Sequence, residues 1–144
     1  MEERQTGLRD YIETGVKLDA FVTKFLLTTI FYDKTDLHDG AVIIQHNRII
    51  AAGCLLPLSH TDVKENLGTR HRAGIGLTES TDAIVVIVSE ENGIISVAHN
   101  GQITRRLDQS KLIKMLRTFY YHELKKPTTF FAQAKGKLGE MFHM

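Results

Sequence analysis

The feature that most constrains this chain is a set of short, almost unbroken apolar runs, each bounded by turn-forming residues. Ala41-Val42-Ile43-Ile44 and Arg48-Ile49-Ile50-Ala51-Ala52 flank His46-Asn47. Ala83-Ile84-Val85-Val86-Ile87-Val88 and Ile94-Ile95-Ser96-Val97-Ala98 flank Glu91-Asn92-Gly93. Runs of this length rich in β-branched residues, separated by tight turns, predict β-hairpins. Asn100-Gly101 predicts a further turn into Gln102-Ile103-Thr104. Because the first two runs are almost continuously apolar instead of alternating, they predict strands covered on both faces, and helices must supply the cover; Ala83 to Val88 reads as a buried strand.

Helical spacing occurs where that cover is needed. Asp19 reads as the cap of a helix whose Phe21, Val22, Phe25, Leu26, Thr29 and Ile30 share one stripe, with Lys24 on the wet side. Residues 1–18 are polar, Gly-punctuated and without a period, and Asp33 to Asp39 is a polar connection. Ser59 to Asn66 is polar too, with a short helical turn expected after Asp62. The small residues from Ala73 to Leu77 suit a helix lying close against a sheet, although Gly74 and Gly76 weaken helix propensity. From Asp108 a last helix carries Leu112, Ile113, Leu116, Phe119 and Tyr120 inward, with Lys111, Lys114 and Arg117 toward solvent. The expected architecture is α/β, a mixed β-sheet with helices on both faces. Residues 1–122 form the domain, and 123–144 a loosely ordered extension.

Composition narrows the class. With 144 residues and 42% apolar content, the chain can bury a core without staples, and one cysteine, Cys54, can build no disulfide framework. Cys54 sits in an apolar run and reads as a small core hydrophobe. Eighteen Lys and Arg against seventeen Asp and Glu leave a formal charge of +1, which provides no field for wrapping a nucleic acid. The stretch Ile49 to Leu58 is about half of the roughly 20 residues that a bilayer span requires. No apolar run follows a basic start at the N-terminus, so no secretory signal is read. A cytoplasmic setting is expected, with no nucleic-acid partner and no membrane contact by this chain itself.

The common site signatures, from the GxxxxGK[ST] loop to HExxH and CxxC, do not occur. Polar clusters at element ends remain. His38-Asp39-Gly40-Ala41 stands at the mouth of an apolar strand, where a small-residue turn admits a ligand close to the backbone and a carboxylate could take a proton or hold a cation. The same Asp-Gly pair is also ordinary turn chemistry. Gly68-Thr69-Arg70-His71-Arg72 enters a helix, and its N–H groups, hydroxyl and guanidinium forks suit a polyanion such as a triphosphate. It could equally be a solvated basic turn. Ser89-Glu90-Glu91-Asn92-Gly93 is an acidic hairpin tip. His38 beside Asp39 is a weak metal pair.

In this order and spacing the clusters resemble the catalytic domain of the diadenylate cyclases, which make cyclic di-AMP. Asp39-Gly40-Ala41 matches the family's DGA motif and Arg70-His71-Arg72 its RHR motif. Asp10-Tyr11-Ile12-Glu13-Thr14-Gly15 and Leu67-Gly68-Thr69 resemble the membrane-anchored CdaA type, and the likeness runs from about Glu3 to about Arg106. Members of the family carry a helix and a strand upstream of Glu-Arg-x-Thr-Gly. Met1 stands almost at that point, so those two elements are expected to be missing and the full-length protein to be anchored at the cell membrane.

The resemblance implies that two ATP become cyclic di-AMP and two pyrophosphate in a homodimer or higher homo-oligomer with facing sites. It implies Asp39, Arg70 and Arg72 as catalytic residues. Gly40, Ala41, Leu55, Leu56, Gly68, Thr69, His71, Ser89 and Glu91 would bind ATP, and His38 with Asp39 would hold Mn²⁺ or Mg²⁺. Leu55 stands where relatives often have Tyr, so aliphatic contact would replace base stacking. A module that binds ATP or cyclic di-AMP without turnover is the alternative.

Overall fold

The computed structural model describes residues 2–60 and 67–124, with side chains described over 7–60 and 67–119. In chain order the elements are α1 (Glu2–Ile12), β1 (Val16–Phe21), α2 (Lys24–Ile30), β2 (Ala41–Gln45), β3 (Arg48–Cys54), α3 (Thr69–Ser80), β4 (Val85–Val88), β5 (Ile95–His99), β6 (Gln102–Leu107) and α4 (Gln109–Leu124). The α/β class expected from the sequence is found. The described strands form two three-stranded antiparallel sheets, ordered β1-β3-β2 and β4-β5-β6. They fall in two compact units, Ile12–Leu55 with Ile113–Met144, and Met1–Tyr11 with Leu56–Leu112.

In the first of these units β3 is the middle strand, with Ile49, Ala51, Ala52 and Cys54 fully or almost fully buried. The β2–β3 hairpin turns through His46 and Asn47, both at positive φ, as a two-residue turn matched to strand twist requires. Val22, Ile30, Ile49 and Ala52 form the core, with Leu18, Leu26, Leu27, Leu37 and Val42 packed against it.

The helix expected from Asp19 is corrected here. Val16–Phe21 is a strand paired with β3, and α2 begins five residues later, capped by Thr23, whose Oγ1 accepts from Leu26 N at 3.1 Å. Asp19 lies in the left-handed region at φ 52° within a bulge, a conformation short polar residues tolerate best. Arg48 donates to Asp19 Oδ1 and to its carbonyl oxygen, both at 2.6 Å, and its guanidinium lies 4.6 Å from the Phe21 ring centroid. With the helix start moved, the buried stripe rotates. Leu27 joins the core, whereas Phe25 is 81% exposed and Thr29 is exposed. Residues 2–12, read from the sequence as aperiodic, are helical.

In the second unit α3 lies on the sheet through Leu67, Ile75, Ile87 and Ala98, with Val85 and Ile103 alongside. A Cβ on Gly74 would stand 2.8 Å from Ile87 Cδ1, and one on Gly76 would stand 2.0 Å from the Pro57 carbonyl oxygen. The two glycines that lower helix propensity are therefore what admits the close packing. Both expected hairpin turns are present. Gly93 N donates to Ser89 O at 2.9 Å and Ile94 N to Asn92 Oδ1 at 3.0 Å, while Gly101 N donates to Thr78 Oγ1 at 3.1 Å. The expected cover on both faces holds for β3 but not for β2, where Ile44 is exposed, and the run expected as a buried strand has Val86 and Val88 of β4, and Ile84 before it, exposed.

Asp108 caps α4 through a 2.7 Å bond from Lys111 N. Leu112 is buried, and Ile113, Leu116 and Phe119 are half-buried. Lys111, Lys114 and Arg117 are exposed, as the spacing predicts. Tyr120's side chain, the turn expected after Asp62 and residues 125–144 of the expected extension lie outside the described residues.

Candidate active site

The Asp-Gly-Ala turn owes its shape to Gly40. Its φ of 110° is open only to glycine, and a Cβ there would lie 2.8 Å from Gly53 C and 2.9 Å from Gly53 Cα. Backbone thus crosses backbone where β2 begins, and Asp39 is carried to the surface with its carboxylate exposed. Ala41 pairs with Cys54 across the ladder, so Asp39-Gly40 and Leu55 leave the sheet at the same end. Leu55 is 67% exposed, and its N–H is anchored on Thr14 Oγ1 at 2.8 Å. Cys54 itself is buried, and burial raises its thiol above the ordinary range, which makes it an inert core residue.

His38 is oriented by the loop before it. Its Nδ1 lies 2.6 Å from the carbonyl oxygen of Thr35, and because a carbonyl only accepts, Nδ1 carries the proton of that bond and a neutral ring has its lone pair on Nε2. An imidazole nitrogen and an exposed carboxylate on consecutive residues are a borderline-to-hard donor pair of the kind that Mn²⁺ and Mg²⁺ accept. Among the described residues no group of three His, Cys, Asp or Glu could hold a metal ion. A cation at this pair would draw its remaining ligands from water or from phosphate oxygens.

The second cluster is in the other unit. Gly68 caps α3 without a side-chain acceptor, which leaves the first-turn N–H groups directed outward. Arg70 reaches from that first turn to the β4–β5 hairpin, donating to Val88 O at 3.3 Å and forming an ion pair with Glu90. Gly68, Thr69 and Arg70 are therefore drawn together with Ser89 and the acidic tip that includes Glu91. Glu90 is the partner that sequence reasoning passed over. The tip offers two adjacent carboxylates, and only the tertiary contact distinguishes them. Leu56 is half-buried in this unit, and Arg72 is exposed with its carbonyl oxygen accepting from Ser59 N at 3.0 Å.

His71 is directed elsewhere. One residue along a helix is a turn of about 100°, and His71 points into the unit's interior, 7% exposed, with no hydrogen-bond partner for Nε2 among the described residues. Burial lowers its pKa below 6.5 and the charge of Arg105 lowers it further, so the ring is held neutral. His71, expected from the resemblance to bind ATP, is thus directed into the interior, while Arg70 and Arg72 are exposed.

Comparison with known proteins agrees with the motif assignment. The family model described as DisA bacterial checkpoint controller nucleotide-binding, DAC, matches residues 1–103. The chain is 51% identical over 127 residues to cyclic di-AMP synthase CdaA of Bacillus subtilis, covering 88% of this chain and 45% of that protein. It resembles the crystal structure of a DacA double mutant from Staphylococcus aureus with a TM-score of 0.75 and 45% identity, covering 79% of this chain and 77% of that one. A structure described as a hypothetical membrane spanning protein from Bacillus cereus matches with a TM-score of 0.64 and 47% identity, over 66% of this chain and 47% of that one. The chain spans about half the length of the curated relatives it matches. Both motif clusters, the glycine-strained Asp39 turn and the Arg70 helix start, fall inside the matched span, and the chain belongs to the DAC family.

Proposed function

We propose that this chain is a diadenylate cyclase domain that condenses two ATP into cyclic di-AMP and two pyrophosphate. The observation that carries the reading is the family match over residues 1–103, which encloses every cluster described above. In the proposed reaction each ribose 3′-oxygen loses its proton and bonds to the α-phosphorus of the other ATP, whose bond to pyrophosphate breaks. Neither attack can be completed within one nucleotide site. Two copies of the chain must present their sites to each other, and dimer contact becomes part of catalysis by positioning the reactants.

The exposed Asp39 carboxylate would accept the hydroxyl proton, directly or through a cation held with His38 Nε2. Such a cation, Mn²⁺ or Mg²⁺, would neutralise phosphate charge and stabilise the departing pyrophosphate. Gly40 and Ala41 offer backbone without bulk, and Leu55 and Leu56 would meet the adenine. Gly68, Thr69 and Ser89 would donate to phosphate oxygens, with Arg70 and Arg72 orienting the triphosphate and Glu91 near the ribose. His71 acts in this scheme from beneath, by holding the first turn of α3.

No described helix is long and apolar enough to cross a membrane. We further propose that the full-length protein is anchored at the membrane, in line with the description of the Bacillus cereus relative. The test of the activity is incubation with ATP and Mn²⁺ followed by separation of products. Cyclic di-AMP is expected, and Asp39→Asn should abolish it while largely sparing ATP binding. ATP binding without product at any protein concentration would replace the enzyme reading with that of a nucleotide-binding module.

A further inference from the structure

Thr35 is not part of either cluster, yet the hydrogen bonds of the 31–40 loop converge on it. Its Oγ1 donates toward the carbonyl oxygens of Ile30 at 2.8 Å and Tyr32 at 3.0 Å, and its N–H donates to Tyr32 O at 3.0 Å. Ile30 is the last residue of α2 and is buried in the core, and a helix end leaves such a carbonyl in need of a donor. The hydroxyl therefore ties the loop to a fixed point. From that anchor the Thr35 carbonyl oxygen receives both His38 N, at 3.4 Å, and His38 Nδ1, at 2.6 Å. A carbonyl can only accept, so the ring proton must be on Nδ1.

We propose that Thr35 is the positioning residue of this site: by fixing its own carbonyl against α2, it selects the Nδ1–H tautomer of His38 and leaves Nε2 as the ligand nitrogen. Metal-ligating histidines in general depend on such a partner for tautomer and ring direction, and loss of the partner lowers metal affinity about 10–100-fold. The inference rests on the reading that His38 serves a divalent cation, and it specifies which nitrogen does so and what holds it. An untethered histidine side chain favours the Nε2–H tautomer, so without the Thr35 carbonyl the lone pair would be on Nδ1 for much of the time. Thr35→Val keeps the shape and the carbonyl but loses the hydroxyl. Thr35→Ser keeps the hydroxyl.

The experiment is long-range ¹H–¹⁵N NMR of the histidine-labelled chain without metal, at mildly alkaline pH, together with Mn²⁺ paramagnetic resonance in the presence of 3′-deoxy-ATP, which cannot cyclise. Wild type and Thr35→Ser should show His38 as the Nδ1–H tautomer and bind Mn²⁺ alike. Thr35→Val should show mixed tautomers and bind Mn²⁺ about tenfold more weakly. An Nε2–H tautomer in the wild-type protein overturns the inference whatever the variants do, and so does a folded Thr35→Val that keeps both the tautomer and the affinity. If the wild type has the Nδ1–H tautomer but adds nothing to Mn²⁺ binding by the nucleotide alone, the metal reading of His38 fails, and Thr35 loses its role toward a cation with it.

Discussion

At the scale of single residues, Gly40 and His71 each carry a testable consequence. Gly40 combines a φ of 110° with backbone atoms of Gly53 where a side chain would begin. Strain of this kind costs about 1–3 kcal/mol at one residue, and the clash is with backbone, which cannot turn aside. Gly40→Ala is expected to destabilise the chain by about 2–4 kcal/mol in chemical denaturation and to abolish cyclic di-AMP formation, because Asp39 can no longer be presented. His71 gives a prediction in pH. Its folded-state pKa is lowered by burial and by Arg105, so below the ordinary value of 6.5 the unfolded chain binds a proton that the folded chain refuses. Its neutral ring is therefore compatible with full stability above about 6.5, and stability is lost as pH falls from there through the folded-state value. Replacing it by a residue that takes no proton, His71→Gln, should flatten the acid limb of a plot of melting temperature against pH. An unchanged limb would mean that His71 is not the group that titrates.

At the scale of elements, α3 sets propensity against packing. Replacing glycine by alanine inside a helix gains about 1 kcal/mol of intrinsic propensity. At Gly76 the added Cβ would lie 2.0 Å from Pro57 O and 2.9 Å from Ser59 N, and overpacking against backbone costs about 1–3 kcal/mol. The helix would have to lift away from residues 57–59. That movement would break the bonds from Ser59 N to Arg72 O and from Ser59 Oγ to Glu79 Oε1. Gly76→Ala should therefore lower the melting temperature despite its better propensity, and a rise would show that the segment around Pro57 yields easily. Gly74 is the gentler case, because its neighbour is the flexible end of Ile87. The Arg70–Glu90 pair that joins α3 to the hairpin is exposed at both ends, so it contributes little to stability, and its value lies in where it puts the guanidinium.

At the scale of the whole molecule, the proposed chemistry needs two copies. Specific activity should rise with protein concentration until dimers are saturated, and a rate strictly proportional to concentration over a wide range would contradict facing sites. A formal charge of +1 leaves little repulsion between copies, and it leaves polyanion binding to local groups such as Arg70 and the α3 start.

The hairpins, their turn residues and the start of α4 at Asp108 were legible in the sequence because each depends on neighbours within a few positions. The motif clusters were legible for the same reason, as contiguous residues at element ends. Three features were not. Asp19 has the chemistry of a helix cap and of a left-handed bulge residue alike, and the choice is made by Arg48, 29 residues away. His71 stands between two arginines as though facing the same ligand, and only the packing of α3 on its sheet turns it inward. Thr35 makes its bonds within five residues, with Ile30, Tyr32 and His38, but no turn or cap signature marks them, and they meet only through the path the loop takes from the end of α2. Short-range geometry is encoded residue by residue, whereas a side chain's direction and partners follow from distant surfaces that meet only when the chain has folded.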